Sequence, residues 1–551
     1  MDGRSMRLLL FSLASVFLLG ASESPQEEAA EALITENVLR AHVRFLASDL
    51  LEGRAPATRG DALSEAYIAS QFEALGLKPA GSEGYRQPFE LLGVLGHPDV
   101  LTFSAQGRTL SLNVPTEAIA SSGNAAEQTR LLGAEVVFVG YGIQAPEFSW
   151  DDFKGMDVHG KVLLVMNNDP SDDPALFAGK TRLYYGRWTY KMEMGQRLGA
   201  AGVIVIHSNA SAGYPWQVVQ TSWSGEQFFL PSPDLGPPLR SWATEDACRR
   251  LVALGGKDLD VLRRAAEERS FRPVPLGVTL STDFKSTVRH THTANVLGVL
   301  PGSDPLRAQE WVVYTAHHDH LGMKANAQPG EDAIYNGAVD DAGGVSQLLA
   351  VARAFASLPH RPARSVLFAA VGAEEKGLLG SEYLVAHAPV PVGQLALDIN
   401  MDGFKIFGAT RDVAVLGLGK TSLDKTLAAL AHAQGRTLVA DPFPEQGSFY
   451  RSDQFSFARA GVPGIHYFSG VEVVGKPAGW GREQHDAWVA THYHQPSDEL
   501  SPDWNLAGAV QDARLYFALG YAVAQAKGLP TWVKGDEFEA AGKAIRSAVV
   551  H

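Results

Sequence analysis

Five short stretches of this chain combine residue types that can bind metal ions and move protons. They are Ala316-His317-His318-Asp319-His320, Val339-Asp340-Asp341, Gly372-Ala373-Glu374-Glu375, Met401-Asp402 and His492-Tyr493-His494. Imidazole and carboxylate donors without thiolates suit zinc, with manganese or cobalt as substitutes. Taken singly, each stretch has a plain structural explanation. A histidine after a strand can hydrogen-bond its own loop, an Asp-Asp pair can cap a helix, and adjacent glutamates can form a solvated face. Their shared placement argues for more.

The placement follows from the elements around them. Trp311–Ala316, Ser365–Val371, Leu395–Asn400 and Val462–Phe468 are near-continuous apolar runs, the pattern of strands covered on both faces. Between the first two, Val345, Leu348, Leu349, Ala352 and Phe355 recur with helical spacing and predict a helix over about 343–355. Strands alternating with helices imply a mostly parallel α/β sheet. Ligands of such sheets bind beyond the carboxyl ends of the strands. His317, Glu374, Glu375 and Asp402 each follow a strand directly, and Asp340 directly precedes the helix. Other chemistries lack their signatures. None of the 17 histidines is followed by Glu, and there is no Gly-x-Ser-x-Gly elbow and no Gly-x-x-x-x-Gly-Lys-Ser/Thr loop. Cys248 is the single cysteine, with no histidine near it in sequence and no partner for an internal disulfide.

The rest of the chain sets the context. Its 551 residues suggest more than one domain, and 45% apolar against 20% charged residues is the balance of a globular chain with a sizeable core. Its 47 basic and 61 acidic residues leave a net charge of −14, which argues against nucleic acid or an anionic membrane as partner. Arg4 and Arg7 precede an apolar run, Leu8–Leu19, and then Gly20-Ala21-Ser22. That order describes a secretory signal peptide over 1–22, too short to span a bilayer comfortably. An exported protein, periplasmic or extracellular, is expected. Thr35 is placed to cap a helix bearing Val38, Leu39, Val43 and Leu46, and a second helix is expected over about 62–75. Between Val136 and Ser281 the texture changes to short strands and glycine turns. The expected division is 23–132, an insert over 133–284, and a main catalytic part over 285–551.

On these residues the chain resembles the zinc exopeptidases typified by bacterial leucyl aminopeptidases, with glutamate carboxypeptidase II and the transferrin receptor as distant members. The resemblance extends to Leu46-Ala-Ser-Asp49, Gly53-Arg54, Thr293-Ala-Asn-Val296, Gly380-Ser381 and His494-Gln-Pro-Ser-Asp498. It implies a phosphorylase/hydrolase-like fold, a mostly parallel mixed sheet flanked by helices, with a β-rich protease-associated (PA) domain as the insert. It also implies two zinc ions. His317 and Asp402 would hold one, Glu375 and His494 the other, and Asp340 would bridge them. Glu374 would be the general base, and Asp319 would orient His317. Tyr493 could donate to the developing oxyanion or simply pack. His318, His320, His466 and His492 are read as structural. Ser452-Asp453-Gln454 departs from the Ser-Asp-His of many relatives.

The implied activity is removal of the N-terminal residue from peptides that carry a free amino group. A carboxypeptidase of the same family remains open, since spacing does not choose an end; it would need a basic pocket for the terminal carboxylate. A non-catalytic receptor-like binding protein on this scaffold is the rival from another class, although relatives of that kind have lost ligands. A glutaminyl-cyclase-like transferase fits less well, because no insert is expected there.

Overall fold

The computed structural model describes residues 25–549 apart from 175, 325 and 326. The signal segment read at 1–22 lies outside the described residues. Among them, no helix is long and apolar enough to cross a membrane.

Local signals formed the expected helices. Thr35 caps Glu36–Leu46 by accepting from the Val38 amide, and Leu39, Val43 and Leu46 face inward. Thr58 caps Arg59–Ala74 in the same way. The apolar runs became Trp311–His317, Ser365–Val371, Leu395–Asn400 and Gly464–Ser469, buried along nearly their whole length. These four lie side by side and parallel, in the order 365–371, 311–317, 395–400, 464–469. Antiparallel strands close both flanks. Asp412–Leu416 pairs with Gly464–Ser469, and Val274–Leu300 pairs with Ser365–Val371 on the far side. The sheet is therefore mixed, parallel where the candidate ligands emerge. Helices Ala342–Ala356, Ala507–Gln525 and Glu36–Leu46 pack on one face.

Val274–Leu300 is a 27-residue strand that belongs to two sheets. Its second half pairs with Arg86–Gly96 in the sheet just described. Its first half pairs with Gln128–Phe138 and Val100–Ala105 in another layer, which continues through Val162–Met166, Gly202–His207 and Leu239–Thr244. This layer has a hydrophobic core of its own, drawn from Leu101 to Phe284. The boundary drawn at 133 from texture thus falls inside it: Val100–Ser122 contributes three strands, too short to reveal the membership in sequence. Val162–Met166 pairs only with strands of this layer. Cys248 lies buried in the same core, and burial pushes its thiol up to about 12, so it is not a ready nucleophile.

Candidate metal centre

The parallel strands deliver their following residues to one edge of the sheet, and there the side chains meet. Asp340 stands in the middle. Its Oδ1 lies 3.2 Å from His317 Nε2, and its Oδ2 lies 3.1 Å from His494 Nε2. Asp402 Oδ1 lies 3.7 Å from the same atom of His317, and Glu375 Oε2 lies 3.4 Å from that of His494. Two donors on one tetrahedral zinc, each bonded at ~2.0–2.1 Å, are about 3.3 Å apart. The spacing therefore fits two neighbouring cations that share Asp340. His317, Asp340 and Asp402 form one potential ligand group. His320, Asp340 and Glu375 form another, with His494 against the same two carboxylates.

The supporting contacts explain why these side chains hold their positions. Asp341, fully buried, accepts from the backbone amides of His317, Gly344 and Gly403 at 3.1, 2.7 and 2.7 Å. It thereby pins the ends of two strands to the start of one helix. A Cβ at Gly344 would come within 2.3 Å of Asp341 Oδ1 and of the Met401 carbonyl, so this position has no room for a side chain. Asp498 accepts from the Val339 and Asp340 amides at 2.9 and 3.1 Å. Arg54, 1% exposed, donates to the carbonyls of Leu46, His318, Asn336 and Gly337 and ties the N-terminal helices to the ligand loops. The peptide between Asp340 and Asp341 is cis.

Three sequence readings change in detail. His317 Nδ1 faces the carbonyl of Asp319 at 3.1 Å, while the Asp319 carboxylate accepts from the amides of Glu374 and Glu375. Asp319 thus steadies His317 through its backbone and the glutamate turn through its side chain. His320, read as structural, places Nδ1 2.7 Å from Glu375 Oε1 and brackets that carboxylate opposite His494. Its Nε2 is buried without a partner. Gln454, where many relatives carry His, is buried between the Asn400 side chain and the Phe449 carbonyl, and Ser452 in the same segment donates to Asp402. His318, His466 and His492 stay off the centre. His318 faces the Ala294 carbonyl, His466 is buried without a hydrogen-bond partner, and His492 stacks on Trp488.

One contributor had no signal in sequence. Ser222, at the end of helix Trp216–Trp223 in the second layer, places Oγ 2.8 Å from His494 Nδ1. His494 itself sits at φ 56°, in a loop with no regular element behind it. Tyr493 packs its ring against His494 at 4.0 Å between centroids and accepts at its hydroxyl from Arg451 at 3.0 Å.

The environment separates the two neighbouring glutamates. Burial opposes ionisation at Glu375, but His494 and His320 outweigh it and hold the carboxyl below its ordinary range. Burial also opposes ionisation of Asp340 and Asp402, and there the contacts from His317, joined by His494 at Asp340, prevail in the same sense. Glu374 goes the other way. Burial raises its carboxyl well above the usual range, with Asp453, Asp402 and Glu375 adding to the shift against the pull of His317. Adjacent groups pushed apart in this way suit different chemical roles. The φ of 58° at Ala373 starts the tight turn Glu374–Lys376, so the two side chains leave in different directions.

Known proteins resemble this chain in sequence and in fold. Residues 295–518 match Peptidase family M28. In Rattus norvegicus and in Mus musculus, Aminopeptidase NAALADL1 is 31% identical over 111 residues, 19% of this chain and 13% of the relative. The chain thus covers only a small part of the length of these curated relatives. The solved structure of an aminopeptidase from Aneurinibacillus sp. strain AM-1 superposes with a TM-score of 0.54 at 19% identity, covering 90% of this chain and 95% of the other. At that identity the likeness establishes a shared fold: a large mixed sheet flanked by helices.

Proposed function

Starting from the match of residues 295–518 to Peptidase family M28, we propose that the protein is a two-metal aminopeptidase acting on peptides with a free amino terminus. Asp340 carries the reading. A single carboxylate whose two oxygens face two different histidines, at 3.2 and 3.1 Å, is what a bridging ligand requires. His317 and Asp402 complete one site, and Glu375 and His494 the other, with zinc as the ion the donor set favours. Bound there, the ions would supply Lewis acidity toward the scissile carbonyl and acidify a water.

The chain's own groups do the rest. Glu374 stands 3.9 Å from His317 Nε2 and makes no contact of ligand type with His494. A carboxylate beside the ligands but outside the ligand set suits a group that takes a proton from water and hands it to the leaving amine. Tyr493 already accepts from Arg451, which leaves its own hydroxyl proton for an oxygen that develops negative charge. Burial pushes its phenol well above the usual range, so it remains a donor. A surrounding set of carboxylates favours a substrate ammonium. The second layer, 100–284, is read as a PA-like insert that walls the site. The leader at 1–22 supports export.

Two measurements test the proposal. Elemental analysis is expected to find about two metal ions per chain, and a chelator should abolish turnover. Free and N-acetylated forms of one peptide should differ, with only the free form cleaved. Equal turnover of both would replace the aminopeptidase by the carboxypeptidase.

A further inference from the structure

Three arginines gather where the second layer meets the metal centre: Arg182 and Arg187 from that layer, and Arg451 from the catalytic part. Three buried arginines elsewhere in the chain have carbonyl or carboxylate partners. Arg54 has its four carbonyls, Arg364 has Glu310 and three carbonyls, and Arg436 has Asp512 at 2.8 Å. Arg187 differs. It is 7% exposed, and its Nε has no hydrogen-bond partner. After burial, the strongest charge acting on it is the repulsive one of Arg451, and Arg182 adds to the repulsion. Together these lower its guanidinium to about 9. Arg451 likewise has no carboxylate at ion-pair distance among the described residues. Its guanidinium reaches the Tyr493 hydroxyl and lies 5.3 Å from the centre of the Tyr214 ring.

A buried cation without an anion costs free energy, and at Arg187 the repulsion from Arg451 and Arg182 adds to it. These side chains do not point into packed core. Arg187 and Arg451 line a cavity of about 460 Å³ that also includes Glu374, Glu375, Tyr493 and His494. A second cavity shares the metal-centre residues but is walled largely by apolar rings, Phe404, Phe407, Phe443 and Trp488 among them. Arg451 lines both cavities, while Arg187 lines only the first, together with Glu193 and Glu382.

Resting on the aminopeptidase reading, we propose that Arg187, with Arg451 beside it, binds a substrate carboxylate on the leaving-group side of the cleaved bond. That carboxylate is either the α-carboxylate of a dipeptide or an acidic side chain at the second residue. A planar guanidinium matches a carboxylate through two parallel hydrogen bonds, and the incoming charge relieves the repulsion among the arginines. The apolar cavity then takes the N-terminal side chain. The enzyme is thereby tuned to very short or acidic peptides rather than to long neutral ones.

The test uses the metal-loaded full chain and kcat/KM for leucyl-alanine, leucyl-alanine amide and leucyl-glutamate α-amide. The wild type should favour one or both carboxylate-bearing substrates over the neutral amide by roughly 10- to 100-fold, and whichever is favoured identifies the source of the carboxylate. In Arg187→Gln that ratio should fall to near unity. Arg187→Lys retains a charge but loses the fork, should show an intermediate ratio, and serves as the readout if the glutamine variant does not fold. Equal turnover of all three substrates by the wild type would overturn the proposal, as would a wild-type ratio in either variant. N-acetyl-leucyl-alanine separates the two readings. Its efficient cleavage would remove the aminopeptidase while leaving a carboxylate preference in place.

Discussion

Replacing Ser222 by alanine tests whether the second layer takes part in the metal centre or merely shelters it. The hydroxyl lies 2.8 Å from His494 Nδ1, and His494 is 6% exposed, so water does not readily replace the lost partner. A hydrogen bond of this kind contributes about 0.5–1.5 kcal/mol net, and a buried polar group left unpaired costs about 1–3 kcal/mol. These limits correspond to roughly 2- to 150-fold in an equilibrium constant, and they bracket the roughly 10- to 100-fold loss of metal affinity typical when the outer partner of a ligating histidine is removed. Asp340, Glu375 and the Tyr493 ring hold the rest of the imidazole, so Ser222 is the contact that fixes its Nδ1 side. Ser222→Ala is therefore expected to weaken one of two bound ions by about tenfold, to leave the other near wild type, and to lower turnover at limiting zinc with recovery at excess zinc. Ser222→Thr, which keeps the hydroxyl, should retain most of the affinity. Chelator-competition titrations of both variants provide the measurement. Two unchanged affinities in Ser222→Ala would refute the argument and reduce the contact to passive packing.

Other perturbations probe other parts of the arrangement. Glu374→Gln should keep metal content while turnover falls by roughly 10²–10⁴-fold, whereas Glu375→Gln should lose metal and rate together. Metal analysis beside rate constants decides this, and the reverse pattern would exchange the two roles. Arg54→Met deprives four buried carbonyls of their donor and should destabilise the fold by at least about 3 kcal/mol; a thermal unfolding shift worth less than about 1 kcal/mol would show that Arg54 is not the tie between the N-terminal helices and the ligand loops. Burial pushes the Asp61 carboxyl up to about 7, against about 3.9 in an unfolded chain. The folded state therefore keeps a proton that the unfolded state releases between those values. The stability from this group is fully present below about pH 4 and is lost as pH rises through about 7. Asp61→Asn cannot titrate, so denaturant unfolding at pH 5 and pH 8 should show it gaining on the wild type by about 2.6 kcal/mol. Parallel pH curves for the two proteins would contradict the shift.

Much of the centre was legible in the chain because its ligands are tied to local signals. An apolar run long enough for one strand, followed at once by His, Glu or Asp, specifies both the element and the end of it on which the side chain emerges. Trp311–His317 with His317, Ser365–Val371 with the glutamates, and Leu395–Asn400 with Asp402 are all of this kind. The cap at Thr35 and the stripe of Ala342–Ala356 are equally local. Val100–Ser122 was not legible in the same way. Its short strands reveal no sheet membership until they pair, and the pairing runs to strands more than a hundred residues away.

By itself, then, the sequence determined the parallel core and the edge at which the chemistry collects, while the family resemblance singled out His317, Asp340, Glu374, Glu375, Asp402 and His494 there. Hydrophobic periodicity and the rule that ligands sit beyond strand ends act over a few residues and need no knowledge of the whole. The tertiary structure alone decided which groups surround those candidates. Ser222 reaches His494 across 272 positions of sequence, and His320 turns toward Glu375 across 55. Asp319 uses its carbonyl for His317 and its carboxylate for the glutamate turn. Arg187 and Arg451 line one cavity beside the metal centre. Hydrogen bonding and burial depend on distances of a few ångströms between segments far apart in the chain. Such distances exist only once both sheets have closed around the strand they share.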